Sequence, residues 1–460
     1  MNIIQSDSSD RLGTDPIGRL LVAFSVPAII GMLVNALYNM VDRIFVGQGV
    51  GSLGIAGIVV GTPVSTVLIG TSMLIGIGAN ALFAIRLGEG RRHEVESIMG
   101  NAFTLLIALP AILAGLCLIF LDPLLVFLGA SEAVLPYARD YLRIILWGAA
   151  FQSAGAGINH FIRSDGHPRT SMLTQLVGAA LNTVLDPLFI FVLDMGVAGA
   201  AWATIISQAV SFVWVMAYFN SRFTKLRFRP ANMALRAPIV RATLAIGFAP
   251  FAMQLASGFL GVVMNRSLLT WGGDNAVSAM GLVTSILNLL IMPLIGLNGG
   301  GQPIMGYNYG AGKWGRVRRV FTLSTIFGTG LMTAGFIAVQ LFPAVFIRMF
   351  SRDEELIALG VRTLRIATIM LPIVAFQIVS SNLFQSIGKP LQGTVLSLSR
   401  QVLLLIPLVV FLPFLFGLNG VFFALPAADF LSTIISVVLV RSELRRLAAP
   451  LAGSTPERTA

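Results

Sequence analysis

Short polar connections divide the chain into apolar stretches long enough to cross a membrane as helices, which leaves few folds open to it. A helix needs about 20 mostly apolar residues to cross the hydrocarbon layer of a bilayer. Twelve stretches of this kind can be read: 17–46, 53–84, 98–120, 134–159, 170–193, 197–219, 242–270, 277–305, 318–346, 356–384, 392–415 and 420–440. Lipid offers no hydrogen bonds, so backbone groups must be satisfied inside each segment, which makes these segments helices. Only 11% of residues are charged, against about 25% in soluble domains. The expected fold class is an all-α polytopic membrane protein of twelve transmembrane helices. Several stretches exceed the minimum length and are expected to tilt or kink.

The basic residues test the count. With the N-terminus inside, 22 of the 31 Lys and Arg fall in segments on the cytoplasmic side. Only Arg348 and Arg352 fall in the opposite loops, and the other seven lie within or at the edges of spans. Cytoplasmic loops hold an excess of Lys and Arg, so both termini are expected in the cytoplasm. The net charge of +11 would suggest nucleic acid in a soluble protein. Here its placement accounts for it, and no nucleic-acid partner is expected. The lone Cys117 lies in an apolar run and cannot form an internal disulfide, and no Cys/His cluster marks a metal site.

The chain also repeats itself at an offset near 222. Arg163-Ser164-Asp165-Gly166-His167-Pro168 matches Gln385-Ser386-Ile387-Gly388-Lys389-Pro390, and Leu142-Arg143-Ile144 matches Leu364-Arg365-Ile366. Leu87-Gly88-Glu89-Gly90-Arg91 matches Tyr309-Gly310-Ala311-Gly312-Lys313. The expected organisation is an N-terminal tail (1–16), an N-lobe of six spans (17–219), a basic linker (220–241), a C-lobe of six spans (242–440) and a C-terminal tail (441–460). Six is even, so the two pseudo-symmetric lobes cross in the same orientation. Transporters often bind substrate between such repeats.

Ionisable groups inside spans cost about 2.5–3.5 kcal/mol and mark functional sites by default. Asp42 lies in span one and Asp186 in span five. Asn182 shares a helix face with Asp186, four residues on. Pro187 cannot donate a backbone hydrogen bond and so frees a carbonyl. These hard oxygen groups suit a small cation or a proton. The plainer reading pairs Asp42 with Arg43 near an interface and makes Asp186 a helix cap. The second half has Asn265 and Ile406 opposite Asp42 and Asp186, so ion coupling is expected in the first half only. Asp429 and Arg400 are read as partners of each other, and Asn288 and Gln302 as weaker candidates that could be packing contacts. No Walker sequence is present, and Asp122, Glu132 and Asp353-Glu354-Glu355 form no compelling metal pattern. An enzyme is therefore not expected.

Taken in order, several motifs resemble the multidrug and toxic compound extrusion (MATE) family over about residues 15–446. They are Tyr38-Asn39-Met40-Val41-Asp42, Gly-Ala-Ser-Glu at 129–132, Gly166-His167-Pro168, Asn182 with Asp186-Pro187, and Gln302-Pro303-Ile304-Met305-Gly306-Tyr307-Asn308-Tyr309-Gly310. The resemblance implies a V-shaped pair of six-helix lobes and antiport of small-molecule drugs or toxic amphipathic cations against H+ or Na+, with no other cofactor. It places the coupling ion at Asp42, Asn182, Asp186 and Thr204, with Tyr141 and Asn159 on polar positions of the same lobe. Tyr38, Asn39, Tyr141, Asn159, Asn288 and Gln302 are the expected substrate-cavity residues. A branch of the family with acids in the second lobe is not matched, since Asn265 stands where that branch has one. A monomer surrounded by lipid in a bacterial inner membrane is the implied setting. The alternative is a lipid-linked oligosaccharide flippase of the wider superfamily, in which a basic central cavity and often extra spans are expected.

Overall fold

The computed structural model describes residues 10–452, apart from the side chains of Asn39, Arg43 and 447–452. No strand occurs among the described residues. The first six rods are α1 (Ile17–Gly49), α2 (Ser52–Gly88), α3 (Arg92–Ile119), α4 (Leu135–Ser164), α5 (Pro168–Pro187) and α6 (Gly196–Asn220). The expected spans seven and eight form one helical run, Ala237–Gly310, that breaks only at Gly273, where φ is +67°. Glycine takes that conformation without a Cβ clash. The two parts are α7 (237–272) and α8 (274–310). Next come α9 (Trp314–Leu341) and α10, built from Glu354–Thr368 and Leu371–Ser386. The last are α11, which starts as Pro390–Leu398, and α12 (Leu418–Ala452).

Nine of the described helices are long and apolar enough to cross a membrane, and α10 adds a tenth when its two pieces, bent by 52°, are taken together. Counting α7 and α8 separately gives eleven. The twelfth, α4, is long enough but carries Arg139, Asp140, Arg143, His160 and Arg163. Proline explains the other irregular rods. Pro372 opens the second piece of α10, and Gln340 of α9 donates to the carbonyl of Arg365 at 2.9 Å just before the bend. Pro187 is followed by a wide helical turn, Leu188–Val192. A similar turn, Ser399–Leu405, precedes Pro407 in α11. These two prolines are repeat counterparts.

The lobes meet where α2 and α8 cross. A Cβ added to Gly88 would lie 2.0 Å from the carbonyl oxygen of Tyr307, and one added to Gly310 would lie 1.9 Å from that of Ile85. These positions are exchanged by the repeat offset of 222, so the contact is self-complementary about a local two-fold. One turn further along each helix Gly306 faces Ala84, and beyond that Asn80 donates to Gln302 at 3.4 Å. Alongside, Gly247 of α7 meets the carbonyl of Leu74, and Gly300 of α8 meets Ser25 of α1. This seam lies in the half of the molecule that holds the termini. In the opposite half, α1, α2 and α7 leave Leu37, Val59, Phe259 and Val262 exposed.

The segments that lead into the lobes are pinned across the seam. Before α1, the carbonyl of Leu12 accepts from Asn308 (2.9 Å) and Arg316 (3.1 Å), and that of Gly13 accepts from Lys313 (2.8 Å). Before α7, buried Asn101 of α3 donates to the carbonyls of Asn232 (3.1 Å) and Ala234 (3.0 Å) and accepts from the amide of Arg236 (2.7 Å). Each lobe is thus entered by a strap held on the other lobe.

Gly88→Val and Gly310→Val should each destabilise the fold by about 1–3 kcal/mol, the usual consequence of overpacking. Gly330→Ala, where a Cβ meets nothing within 4 Å, should leave the melting temperature of the detergent-purified protein unchanged. Equal melting temperatures for all three variants would remove the seam from the account of stability.

Candidate functional site

In the N-lobe, α1, α4, α5 and α6 enclose a cavity of about 180 Å³. Six carboxamides line it: Asn35, Gln152, Asn159, Gln175, Asn182 and Gln208. Tyr38, Thr174, Thr204, Ser207 and Ser211 complete its polar wall. The lining follows helical spacing: 35 and 38 on α1, 152 and 159 on α4, 175 and 182 on α5, and 204, 208 and 211 on α6. Residues three, four or seven apart share a helix face, so each helix turns one polar stripe inward.

Asp186 is fully buried beside this cavity. Its carboxyl is within hydrogen-bonding reach of the Asp42 carboxyl, which α1 brings up from the other side. Asn182 donates to Asp186 Oδ1 at 3.3 Å and lies 3.5 Å from the hydroxyl of Thr204. Pro187 has no N–H to give the carbonyl of Thr183, one turn back. Four buried oxygens around the cluster find no hydrogen-bond partner: Asp186 Oδ2, Asn182 Oδ1, Asn159 Oδ1 and Ser207 Oγ. Buried acceptors are rarely left unsatisfied in native proteins. A proton on the carboxyl pair, or a small hard cation among these oxygens, would satisfy them, so the residues fit such an ion.

The structure therefore brings together Asp42, Asn182, Asp186 and Thr204, and adds Tyr38 and Asn159 on the cavity wall. The side chain of Asn39 lies outside the described residues. Tyr141 is on α4 about three turns before Gln152 and does not line the cavity. Asn288 is exposed on α8, and Gln302 is buried in the seam against Asn80. Sequence reading missed Asn35, Gln152, Gln175 and Gln208. The signal was their spacing relative to Tyr38, Asn159, Asn182 and Thr204, hidden because a single amide in an apolar helix looks like a packing contact.

The matching region of the C-lobe is built from different residues. At the repeat offset, Gln152 and Thr174 become Val374 and Leu396, and Tyr38, in the register that pairs Asp42 with Asn265, becomes Gly261. Gly178 and Ser207, which flank the N-lobe cavity, become Arg400 and Asp429, and these two form an ion pair. Gln401 donates to Ser257 at 2.9 Å beside it. The expected pairing of Arg400 with Asp429 is thus present, at the positions held by Gly178 and Ser207 in the other lobe.

This architecture, twelve long helical rods among the described residues in two repeated lobes with a polar cluster in one of them, is that of a membrane transporter. The MatE family model matches residues 27–188 and again 250–411. The chain belongs to the MATE family, whose members are transporters and not enzymes. Among known proteins it is 27% identical to the multidrug export protein MepA of Staphylococcus aureus (strain MSSA476), over 92% of this chain and 94% of that protein. It is 38% identical to the MATE multidrug transporter DinF-BH, solved in complex with rhodamine 6G, with a TM-score of 0.88, covering 95% of this chain and 98% of that one. A MATE family transporter in an outward-facing conformation shares the fold, with a TM-score of 0.91 at 23% identity, covering 96% of this chain and 99% of that one.

Replacing Arg400 alone by Gln should destabilise the C-lobe by about 3 kcal/mol, because it strands a buried carboxylate. Arg400→Leu with Asp429→Leu should recover most of that loss. Thermal unfolding of the single and double variants checks this, and a double variant no better than the single would show that the pair does not act as a unit.

Proposed function

We propose that this protein exports amphipathic, often cationic, organic compounds in exchange for H+ or Na+ bound at Asp42, Asn182, Asp186 and Thr204. The observation that carries the reading is the contact between two carboxyls inside the membrane, ringed by unpartnered oxygens. A hydrogen bond between two carboxyl groups needs a proton on one of them, and two ionised carboxylates in contact need a cation between them. Either ion makes the cluster neutral, and its loss leaves repelling charges. Ion binding and release thereby favour different arrangements of α1 against α5, which is the differential interaction a population shift requires.

The wider setting follows from the same reading. The seam closes the side of the termini while the other half diverges, so alternating access consists of opening this seam and closing the far side. The basic residues assign the termini to the cytoplasm, and the membrane is the bacterial inner membrane. The protein works as a monomer, since one chain contains both lobes. The relatives named for multidrug export, and the one solved with rhodamine 6G, support small organic cargo. The six carboxamides favour cargo or solvent that accepts many neutral hydrogen bonds over a single fixed ion pair.

The test is efflux of rhodamine 6G from proteoliposomes under separately imposed pH and Na+ gradients. One gradient should drive transport, and Asp42→Asn or Asp186→Asn should each abolish it while the protein remains folded. Full gradient-driven efflux by both variants would overturn the coupling assignment. No efflux by the wild type, together with rescue of a flippase-depleted strain, would favour lipid-linked oligosaccharide as cargo.

A further inference from the structure

The charges in the first turns of α4 are not used by the polar cluster. Arg139 is engaged by Asp122, through bonds of 2.7 and 2.8 Å. Asp140 and Arg143 remain. They are exposed, one turn apart on the same helix, and no ion pair joins them to each other or to another described side chain. They open onto a groove of about 550 Å³ between α4 and α6, whose other walls are Ile144, Trp147, Phe151, Ala198, Trp202 and Ile205. Trp147 is 69% exposed and Trp202 is 42% exposed.

The order along α4 gives the groove a polarity. The helix enters the membrane at Leu135, on the side away from the termini. Asp140 comes first, Arg143 lies one turn deeper, then Trp147 and Phe151 follow at turn intervals. An acid lies outermost, a guanidinium below it, and apolar surface below that. A glycerophospholipid with a primary-ammonium headgroup has the matching sequence: ammonium, phosphate, acyl chains. Arginine binds phosphate well, and an arginine left without an anion in that region is costly.

We propose that this groove is a binding site for one phosphatidylethanolamine-type lipid in the leaflet opposite the termini. Asp140 takes the ammonium, Arg143 the phosphate, and Trp147, Phe151 and Ile205 the upper acyl chain. Arg139 is the neighbouring cation on the same helix, but both its hydrogen bonds go to Asp122, which leaves the Asp140 carboxylate open to the headgroup. The C-lobe supplies an internal contrast. At the repeat offset Asp140 becomes Arg362, Arg143 stays arginine as Arg365, and Trp147 and Trp202 become Ile369 and Ala424. The zwitterion match therefore exists in one lobe only.

The experiment is native mass spectrometry of the full chain equilibrated with mixed micelles holding equal amounts of phosphatidylethanolamine, phosphatidylcholine and phosphatidylglycerol. The wild type should retain phosphatidylethanolamine roughly tenfold over phosphatidylcholine, the factor that one charge-assisted hydrogen bond supplies. Asp140→Asn should erase that preference, and Arg143→Gln should lose both zwitterionic lipids. Arg365→Gln should change nothing. Free phosphoethanolamine should compete poorly, because it lacks the chains. Phosphatidylglycerol retained as well as phosphatidylethanolamine by the wild type, or an unchanged preference in Asp140→Asn, would overturn the proposal. The wild-type comparison decides even if a variant fails to fold.

Discussion

Two symmetry-related helices of this protein touch through their backbones, and much else depends on that contact. Gly88 and Gly310 have no side chain, so α2 and α8 approach until the carbonyls of Tyr307 and Ile85 fill the space a Cβ would occupy. In lipid no hydrophobic effect drives helices together, so close packing of small residues and hydrogen bonds must do so. The seam uses both, with glycine and alanine at its end and Asn80 against Gln302 deeper in. The two straps tighten it, since each ties the entrance of one lobe to the other. Around this backbone contact the lobes also share apolar side chains, with Leu20, Leu21 and Phe24 of α1 packed against Leu294, Leu297 and Phe321.

Duplication supplies this symmetry, and divergence gives the lobes different contents. The N-lobe keeps a polar cavity with Asp42 and Asp186 at its edge. At equivalent positions the C-lobe has Val374, Leu396 and the ion pair of Arg400 with Asp429. A buried ion pair contributes little net stability compared with apolar packing. Here it occupies volume and leaves the buried Asp429 carboxylate engaged by Arg400. The difference between the lobes thus rests on a few substitutions over a shared scaffold of prolines, glycines and helix ends.

The scaffold was legible in the sequence because apolar length, basic-residue placement and repeat offset are each spread over hundreds of residues. The carboxyl pair was legible because a charge in a span is rare. Less visible were features that depend on which faces meet. Gln302 reads as a cavity residue by its motif, yet it lies in the seam because its counterpart Asn80 sits opposite across the local axis. The 220–241 segment reads as a basic linker, but Asn101, an ordinary polar residue within a span, pins its end by three bonds. The Gly166-His167-Pro168 motif gives no hint that His167 and Asp165 each hold the hydroxyl of Tyr218 at 2.7 Å. Amide spacing on four separate helices became a cavity only once those helices were placed side by side.

The last turns of α4 join the cavity to the seam. Asn159 lines the cavity and donates to the carbonyl of Ser171 on α5 at 3.2 Å. One turn on, buried Arg163 reaches the same Ser171 hydroxyl at 3.5 Å, and its guanidinium occupies the space beside Gly299 of α8, in the other lobe. The next residue, Ser164, donates to Asn80 at 2.7 Å, and Asn80 donates in turn to Gln302. Within six residues one helix therefore touches the cavity wall, α5 with its carboxylate, and both sides of the interlobe contact. Packed interiors transmit displacements instead of absorbing them. A displacement of α5 at the Asp42–Asp186 pair therefore moves Ser171, and with it the end of α4, so the carboxyl pair and the seam are mechanically joined.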